Sequence, residues 1–362
     1  MKKFDFVNKV KPLAIMMAVV GSIGALTLVS GVVPVNASSG HWAITKWLLD
    51  FASDRSVDFH SDGIKVPDLN EPGLVELGAS TYEQNCSFCH GRPGVNQPPV
   101  ARGMTPTPPY LAGSLEGKKS RELFYIVKHG IKFAGMPAWP TPNNDDEIWP
   151  VIAFLDKIRS LDAAEYRRLI RIAEQPSLYE RCQACHGDEH MSPVSKRVPA
   201  LSGQNETYLR NSLLAYRDAT RSSGIMMQAT HGLTDEQIDR LARLYSSQKP
   251  APQRETNAKL QHEIDEGRRL AQRGDRQQKI PSCVDCHGPN QPTQNPEYPS
   301  LAGQSARYIE QQLYRFARRG RGGLASAKLM HPIADKLNSA QRRSLAAYYA
   351  SIVRDETKND WQ

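Results

Sequence analysis

The chain contains six cysteines among 362 residues, and they fall into three pairs spaced i, i+3. Each pair runs at once into histidine and then glycine: Cys86-Ser87-Phe88-Cys89-His90-Gly91, Cys182-Gln183-Ala184-Cys185-His186-Gly187 and Cys283-Val284-Asp285-Cys286-His287-Gly288. C-x-x-C-H is the pattern of covalent c-type haem attachment. Two thiols at this spacing reach the two vinyl groups on one porphyrin edge, and the next residue then lies under the iron as its proximal ligand. Three disulfides would use the same cysteines but would not require a histidine after every pair. With 10 histidines in the chain, three such placements by chance have a probability of ~10⁻⁵. A zinc site would need ligands converging on one ion, whereas these pairs start at 86, 182 and 283. The reading is three covalent haems c, on Cys86, Cys89, Cys182, Cys185, Cys283 and Cys286, with His90, His186 and His287 as proximal ligands.

A haem iron has a second axial position, and a thioether there raises the potential and closes the site, which suits electron transfer. Met136 stands in Gly135-Met136-Pro137-Ala138-Trp139, 46 residues after His90, and a methionine before proline does not belong inside a helix. Met330 follows His287 by 43 residues and precedes Leu337 by seven. The same offset from Leu233 selects Met226 in the middle unit, with Met227 one residue out of register. Met104 and Met191 read as loop or packing residues, and His129 and His231 as solvated or structural. Pro199 and Pro299, 13 and 12 residues after their histidines, offer backbone carbonyls to the imidazole N–H, with Pro109 a looser counterpart.

The elements that must hold these groups repeat. Val198-Pro199-Ala200-Leu201-Ser202-Gly203-Gln204 matches Tyr298-Pro299-Ser300-Leu301-Ala302-Gly303-Gln304. A basic helix follows each, ending near Arg221 and Arg321. Leu233–Gln237 then lies opposite Leu337–Gln341, with Thr234 and Asn338 as helix N-caps. The first unit is more divergent: a helix carrying Gly78 and Tyr82 precedes its haem motif, and one from about Asp145 to Ile158 closes it. Strand-like alternation is scarce, and the stretch Leu161 to Gln175 reads as helical. Gln248 to Asn257 and Arg276 to Pro281 read as linkers.

The expected fold is all-α, three tandem haem domains behind an N-terminal helix. The divisions are a signal-anchor segment at 1–40, a juxtamembrane segment at 41–71, and domains at 72–160, 161–250 and 251–362. Four lysines before Pro12 and a nearly continuous apolar run from Leu13 to Val35 form an export pattern. Its length favours an uncleaved anchor with the basic end in the cytoplasm, although Val35-Asn36-Ala37 would serve as a cleavage site. Either way the haem domains lie outside the cytoplasm, on the periplasmic side of a bacterial inner membrane or free in the periplasm. Trp42, Trp47, Leu48, Leu49 and Phe51 suit an interfacial helix or packing on the first domain.

Each unit resembles a class I cytochrome c. Residues 176–354 resemble the tandem dihaem cytochrome c4 type, on the repeated Pro-x-Leu-x-Gly-Gln and the endings in which a methionine precedes a helix. Residues 72–160 resemble the single-haem module of cytochrome subunits in respiratory oxidases and membrane dehydrogenases. The resemblance implies periplasmic, membrane-tethered electron transfer through three His/Met haems, linking a respiratory donor or dehydrogenase to a carrier or terminal oxidase. Two alternatives remain: a fixed cytochrome subunit of such a complex, or a multihaem enzyme with one open haem, for which the second unit is the candidate. Nothing else in the sequence supplies a catalytic constellation.

Charge refines the expected partners. The formal net charge is +8, but residues 1–40 carry +3 and residues 251–362 carry +6, from 18 basic and 12 acidic side chains. Haem propionates offset most of the remainder, and a nucleic-acid reading loses its basis. Arg315, Arg318, Arg319 and Arg321 in the third domain suggest a docking face for an acidic redox partner.

Overall fold

A computed structural model describes residues 2–33, 35–115, 117–172, 176–250, 261–288 and 295–353. Helices and loops make up these residues, with no strand among them, and three isolated bridges tie loops such as Ile131 to Met136. Part of the Gln248 to Asn257 linker lies outside the described residues.

Two units are built on a crossing between the helix before the haem motif and the closing helix. In the first, Leu74–Asn85 crosses Asp145–Ile158 at Gly78, where an added Cβ would lie 1.9 Å from the Pro150 carbonyl oxygen. In the third, Gln261–Arg273 crosses Ser339–Ser351 at Gly267, where a Cβ would meet the Ser344 oxygen, also at 1.9 Å. Glycine is required at both because the backbones touch. Asp145–Ile158 starts on Asp145, Asp146 and Glu147, which complement the positive end of its dipole. Tyr82, Phe154 and Tyr166 pack with tilted rings within this core, centroids 5.1 and 5.7 Å apart.

Residues 161–172 depart from the expected division. Helix Ala163–Ile170 buries Tyr166 and Ile170 in the first unit's core rather than in the second's. Tyr166 also donates to Glu83 at 2.7 Å. In the second unit Leu178–His186, capped by Ser177, itself carries the haem motif. Thr234 and Asn338 cap Asp235–Ser246 and Ser339–Ser351 as anticipated, each in a reciprocal box with a glutamine. The basic helices end at Arg217 and Ala317, so Arg221 and Arg321 fall in the loops beyond.

At the N-terminus, Lys2–Val29 is one helix, long and apolar enough from Lys11 to Val29 to cross a membrane. A second helix, Ala43–Ser61, packs Val57 and Ser61 inward near Ser120–His129 and leaves most of its apolar residues exposed.

Candidate haem sites

All three histidines end a helical turn. His90 closes Ser87–His90, His186 closes Leu178–His186 and His287 closes Val284–His287. The i, i+3 spacing puts both thiols of a pair on one face of that turn. The following glycines, Gly91, Gly187 and Gly288, have φ of +67°, +67° and +68°, a region costly for any residue with a Cβ. At Gly187 a Cβ would also lie 1.9 Å from the Met191 oxygen. The glycine of each motif therefore turns the chain away immediately after the histidine.

Each imidazole is oriented by the carbonyl of a proline. His90 Nδ1 lies 2.9 Å from the Pro109 oxygen, His186 Nδ1 2.9 Å from Pro199 and His287 Nδ1 3.0 Å from Pro299. The looser candidate, Pro109, makes the same contact as the other two. Desolvation holds all three imidazoles below their ordinary pKa, while the carbonyl works the other way by favouring a proton on Nδ1. The result is a neutral ring with Nδ1–H committed and the Nε2 lone pair free for a metal.

The cysteines behave differently from a nucleophile or a redox pair. None is disulfide-bonded. Desolvation pushes the thiols of Cys86 and Cys185 up to about 12 and those of Cys182 and Cys283 up to about 11, so they are not thiolates poised for attack. Among the described residues no group of three or more His, Cys, Asp or Glu side chains forms an ion site.

The methionines sit where the loops approach the closing helices. Met136 is on a turn, its carbonyl accepting from the Ile131 N–H at 3.1 Å, and Met104 Cε lies against the neighbouring Gly135. Met330 lies on Ala327–Ala334, half-buried between two parts of the third core, one of which includes Cys283. Met226 and Met227 share Gly224–Thr230 and are both half-buried. Thr230 and Ala334 end their helices fully buried, and each lies four residues after Met226 or Met330. His129 is exposed beside Tyr125, and His231 is exposed.

Buried charge supplies an independent test of fit. Arg221 and Arg321 are 3% and 8% exposed, and among the described residues neither has a carboxylate partner. Arg321 donates to Tyr208 Oη at 2.9 Å and to Gln312 at 2.6 Å, while Arg221 donates to Ser212 at 2.8 Å. Each guanidinium also stacks on an aromatic ring, Tyr216 or Phe316. Burial works to raise the Tyr208 hydroxyl, but the two arginines outweigh it and bring it down to about 8. Two buried, uncompensated cations at matched repeat positions call for anionic groups, and haem propionates have that chemistry. The sequence pattern puts these arginines near helix ends, and their matched offset from Tyr208 and Tyr308, 13 residues in each case, marks them as a pair.

The same repeat joins the second and third units. Gln204 bonds the Ser300 N–H and carbonyl at 2.9 and 3.0 Å, and Gln304 bonds those of Ala200 at 3.0 and 3.1 Å. Ala200 and Ser300 directly follow the prolines that hold His186 and His287. Each unit's glutamine therefore braces the other unit's histidine loop, an approximately two-fold arrangement.

Two of the four arginines expected to face a partner are turned inward. Arg315 pairs with Asp146 and Glu147 of the first unit, and Arg321 is buried against the second. Arg318 stacks on Tyr314, and Arg319 pairs with Asp335. A charge run on one segment cannot show which side chains another domain will cover.

Comparison with known proteins places these sites in context. The family described as cytochrome C oxidase, cbb3-type, subunit III matches residues 73–155 and 263–348. A thiosulfate dehydrogenase electron acceptor from Thiomonas intermedia is 35% identical over 191 residues, 52% of this chain and 85% of that protein. Cytochrome c-552 of Acidithiobacillus ferridurans is 31% identical over 200 residues, 53% of this chain and 84% of its own. Cytochrome c4 of Azotobacter vinelandii is 30% identical over 181 residues, 47% of this chain and 84% of its own.

Proposed function

The chain belongs to the class I c-type cytochromes and is an electron-transfer protein of the cytochrome c4 kind, and from that premise we propose that it is a membrane-tethered trihaem carrier facing the periplasm. Bound haem c supplies a one-electron Fe(III)/Fe(II) couple. The observation that carries the count of three is the repeated His Nδ1–proline carbonyl contact, made in every unit behind a C-x-x-C-H-G turn.

In this reading Cys86 and Cys89, Cys182 and Cys185, and Cys283 and Cys286 hold the porphyrins as thioethers. His90, His186 and His287 would bind iron through Nε2, and Met136, Met226 and Met330 would supply thioether ligands. Thr230 and Ala334 give the same four-residue offset to Met226 and Met330, which supports Met226 over Met227. Arg221 and Arg321 neutralise propionates at the junction of the second and third units. Packed apolar cores and buried backbone keep water from the iron ligands. The domains are 72–172, 176–250 and 261–353, the first extended to include helix Ala163–Ile170. Pyridine haemochrome analysis and intact mass of the exported protein test the count: three haems per chain support it, and two refute it.

The partner reading follows from the relatives. One is named as the electron acceptor of thiosulfate dehydrogenase. We assign this chain a similar place, taking electrons from a dehydrogenase and passing them to a carrier or terminal oxidase. Arg318 and Arg319 remain as the exposed part of an acidic-partner face on the third domain. Lys11–Val29 serves as the anchor. Reduction of the purified holoprotein by a candidate dehydrogenase with its substrate tests the donor. Rapid carbon monoxide binding at one haem would instead favour an enzyme with an open site.

A further inference from the structure

Helix Ala43–Ser61 has two faces of different use. Val57 and Ser61 are buried, and the helix is fixed to the first unit by Asp54–Lys118 at 2.8 Å, Asp62–Arg121 at 3.2 Å and His60 stacked on Tyr125. On a neighbouring face Ile44, Trp47, Leu48 and Phe51 recur at helical spacing, each more than half exposed, with Trp42 exposed just before the helix and Phe59 at its far end. Trp47 and Phe51 stack at 5.7 Å. Charge enters this stripe only in its later turns, at Arg55 and Asp58. The helix is thus bound to the protein by one face while the other stands uncovered.

The tether limits what can cover that face. Thr105 Oγ1 of the first unit donates to the Ala37 carbonyl at 2.5 Å, so the chain is held to the domain only eight residues beyond Val29, the end of the apolar span. Eight residues reach at most about 29 Å fully extended. A span in the bilayer therefore keeps the first haem domain against the membrane, and the apolar end of the stripe is the end nearer the span. Tryptophan and phenylalanine on one helix face, with charge only at the far end, suit the boundary between headgroups and acyl chains.

We propose that the exposed face of Ala43–Ser61 lies in the outer headgroup layer of the same membrane and docks the first haem domain flat on the lipid surface. This rests on the anchored reading given above. The domain would then move in the membrane plane, where electron donors embedded in the bilayer could meet it.

The test uses the full-length holoprotein in nanodiscs of phosphatidylethanolamine and phosphatidylglycerol, one copy per disc, with single cysteines Leu48→Cys and Asp50→Cys. The native cysteines are occupied as thioethers. A water-soluble maleimide is expected to label Leu48→Cys about tenfold more slowly than Asp50→Cys. Equal rates overturn the proposal, as does protection of Leu48→Cys only in discs holding two copies, which would make a second chain the occupant. Alkaline carbonate extraction of membranes separates the two ideas, because release of the wild-type protein refutes the anchor itself. In that event flotation of the released holoprotein with vesicles of the same lipids judges the helix face: wild type that floats while Trp47→Asp/Leu48→Asp does not supports it, and wild type that stays at the bottom refutes it.

Discussion

Arg315 of the third unit donates to Asp146 at 2.5 Å and to Glu147 at 3.4 Å, both at the start of the first unit's closing helix. Glu147 in turn accepts the Gly224 N–H of the second unit at 2.7 Å and the Trp139 indole N–H at 3.3 Å. One nearly buried carboxylate thus joins all three units. Trp139 belongs to the Met136 loop and Gly224 opens the helix of Met226, so the junction sets how those two loops meet. An added Cβ at Gly224 would lie 2.4 Å from the Trp139 Nε1.

Removing one side of this junction leaves the other charge buried. Arg315→Ala leaves Glu147 buried without its cation and is expected to cost about 3 kcal/mol or more, whereas Glu147→Ala leaves Arg315 its pair with Asp146 and is expected to cost less. Calorimetry of the holoprotein should then show the first unit melting apart from the other two. A double-mutant cycle giving no coupling between Glu147 and Arg315 would contradict this account.

The helix crossings make a sterically sharper prediction. Gly78→Ala and Gly267→Ala each force a methyl into a facing carbonyl and are expected to destabilise their units by about 3 kcal/mol, with reduced haem incorporation. Gly103→Ala is the control, because its nearest non-neighbouring atom would be 3.5 Å away and its φ is ordinary. Thermal melts of the three variants decide it.

At the second–third junction, Gln304→Leu would strip the Ala200 peptide of both hydrogen bonds. Unpaired buried peptide groups cost about 1–3 kcal/mol each. The loss should reach the loop that carries Pro199 and loosen the His186 contact, broadening the redox titration of the second haem. Gln204→Leu should do the same to the third through Ser300.

Methionine replacement tests the axial assignment. Met136→Ala, Met226→Ala and Met330→Ala should each remove the near-infrared sulfur-to-iron band of one haem, about a third of its intensity if the three haems absorb alike. Met227→Ala should leave it whole. The reverse outcome for the middle pair would shift the register by one residue.

The buried arginines give an electrostatic prediction. A cation near the porphyrin favours the less positive, reduced iron, so Arg221→Gln and Arg321→Gln should lower the potential of the neighbouring haem. Potentiometric titration followed in the visible bands measures the shift.

The chemistry was legible along the chain because it is local. Cysteine, cysteine and histidine within five residues, a glycine to turn the backbone, a proline a dozen residues on and a helix cap such as Thr234 all act over one or two turns. Their spacing alone carries the cofactor class, the repeat and the helical character. Asp145–Ile158 has the bounds that its residue pattern anticipates. What the sequence could not decide are the relations that depend on which surface meets which. Arg315 and Arg321 look like a solvated basic patch until another unit covers them, because burial belongs to the assembled domains and not to the segment. Helix Ala163–Ile170 is legible as a helix, but it reads as the start of the second domain until Tyr166 finds Glu83, 83 residues earlier. Glu147 is one of three acids at a helix start, and only the packed structure selects it as the residue that meets Arg315, Gly224 and Trp139 at the junction of the three units.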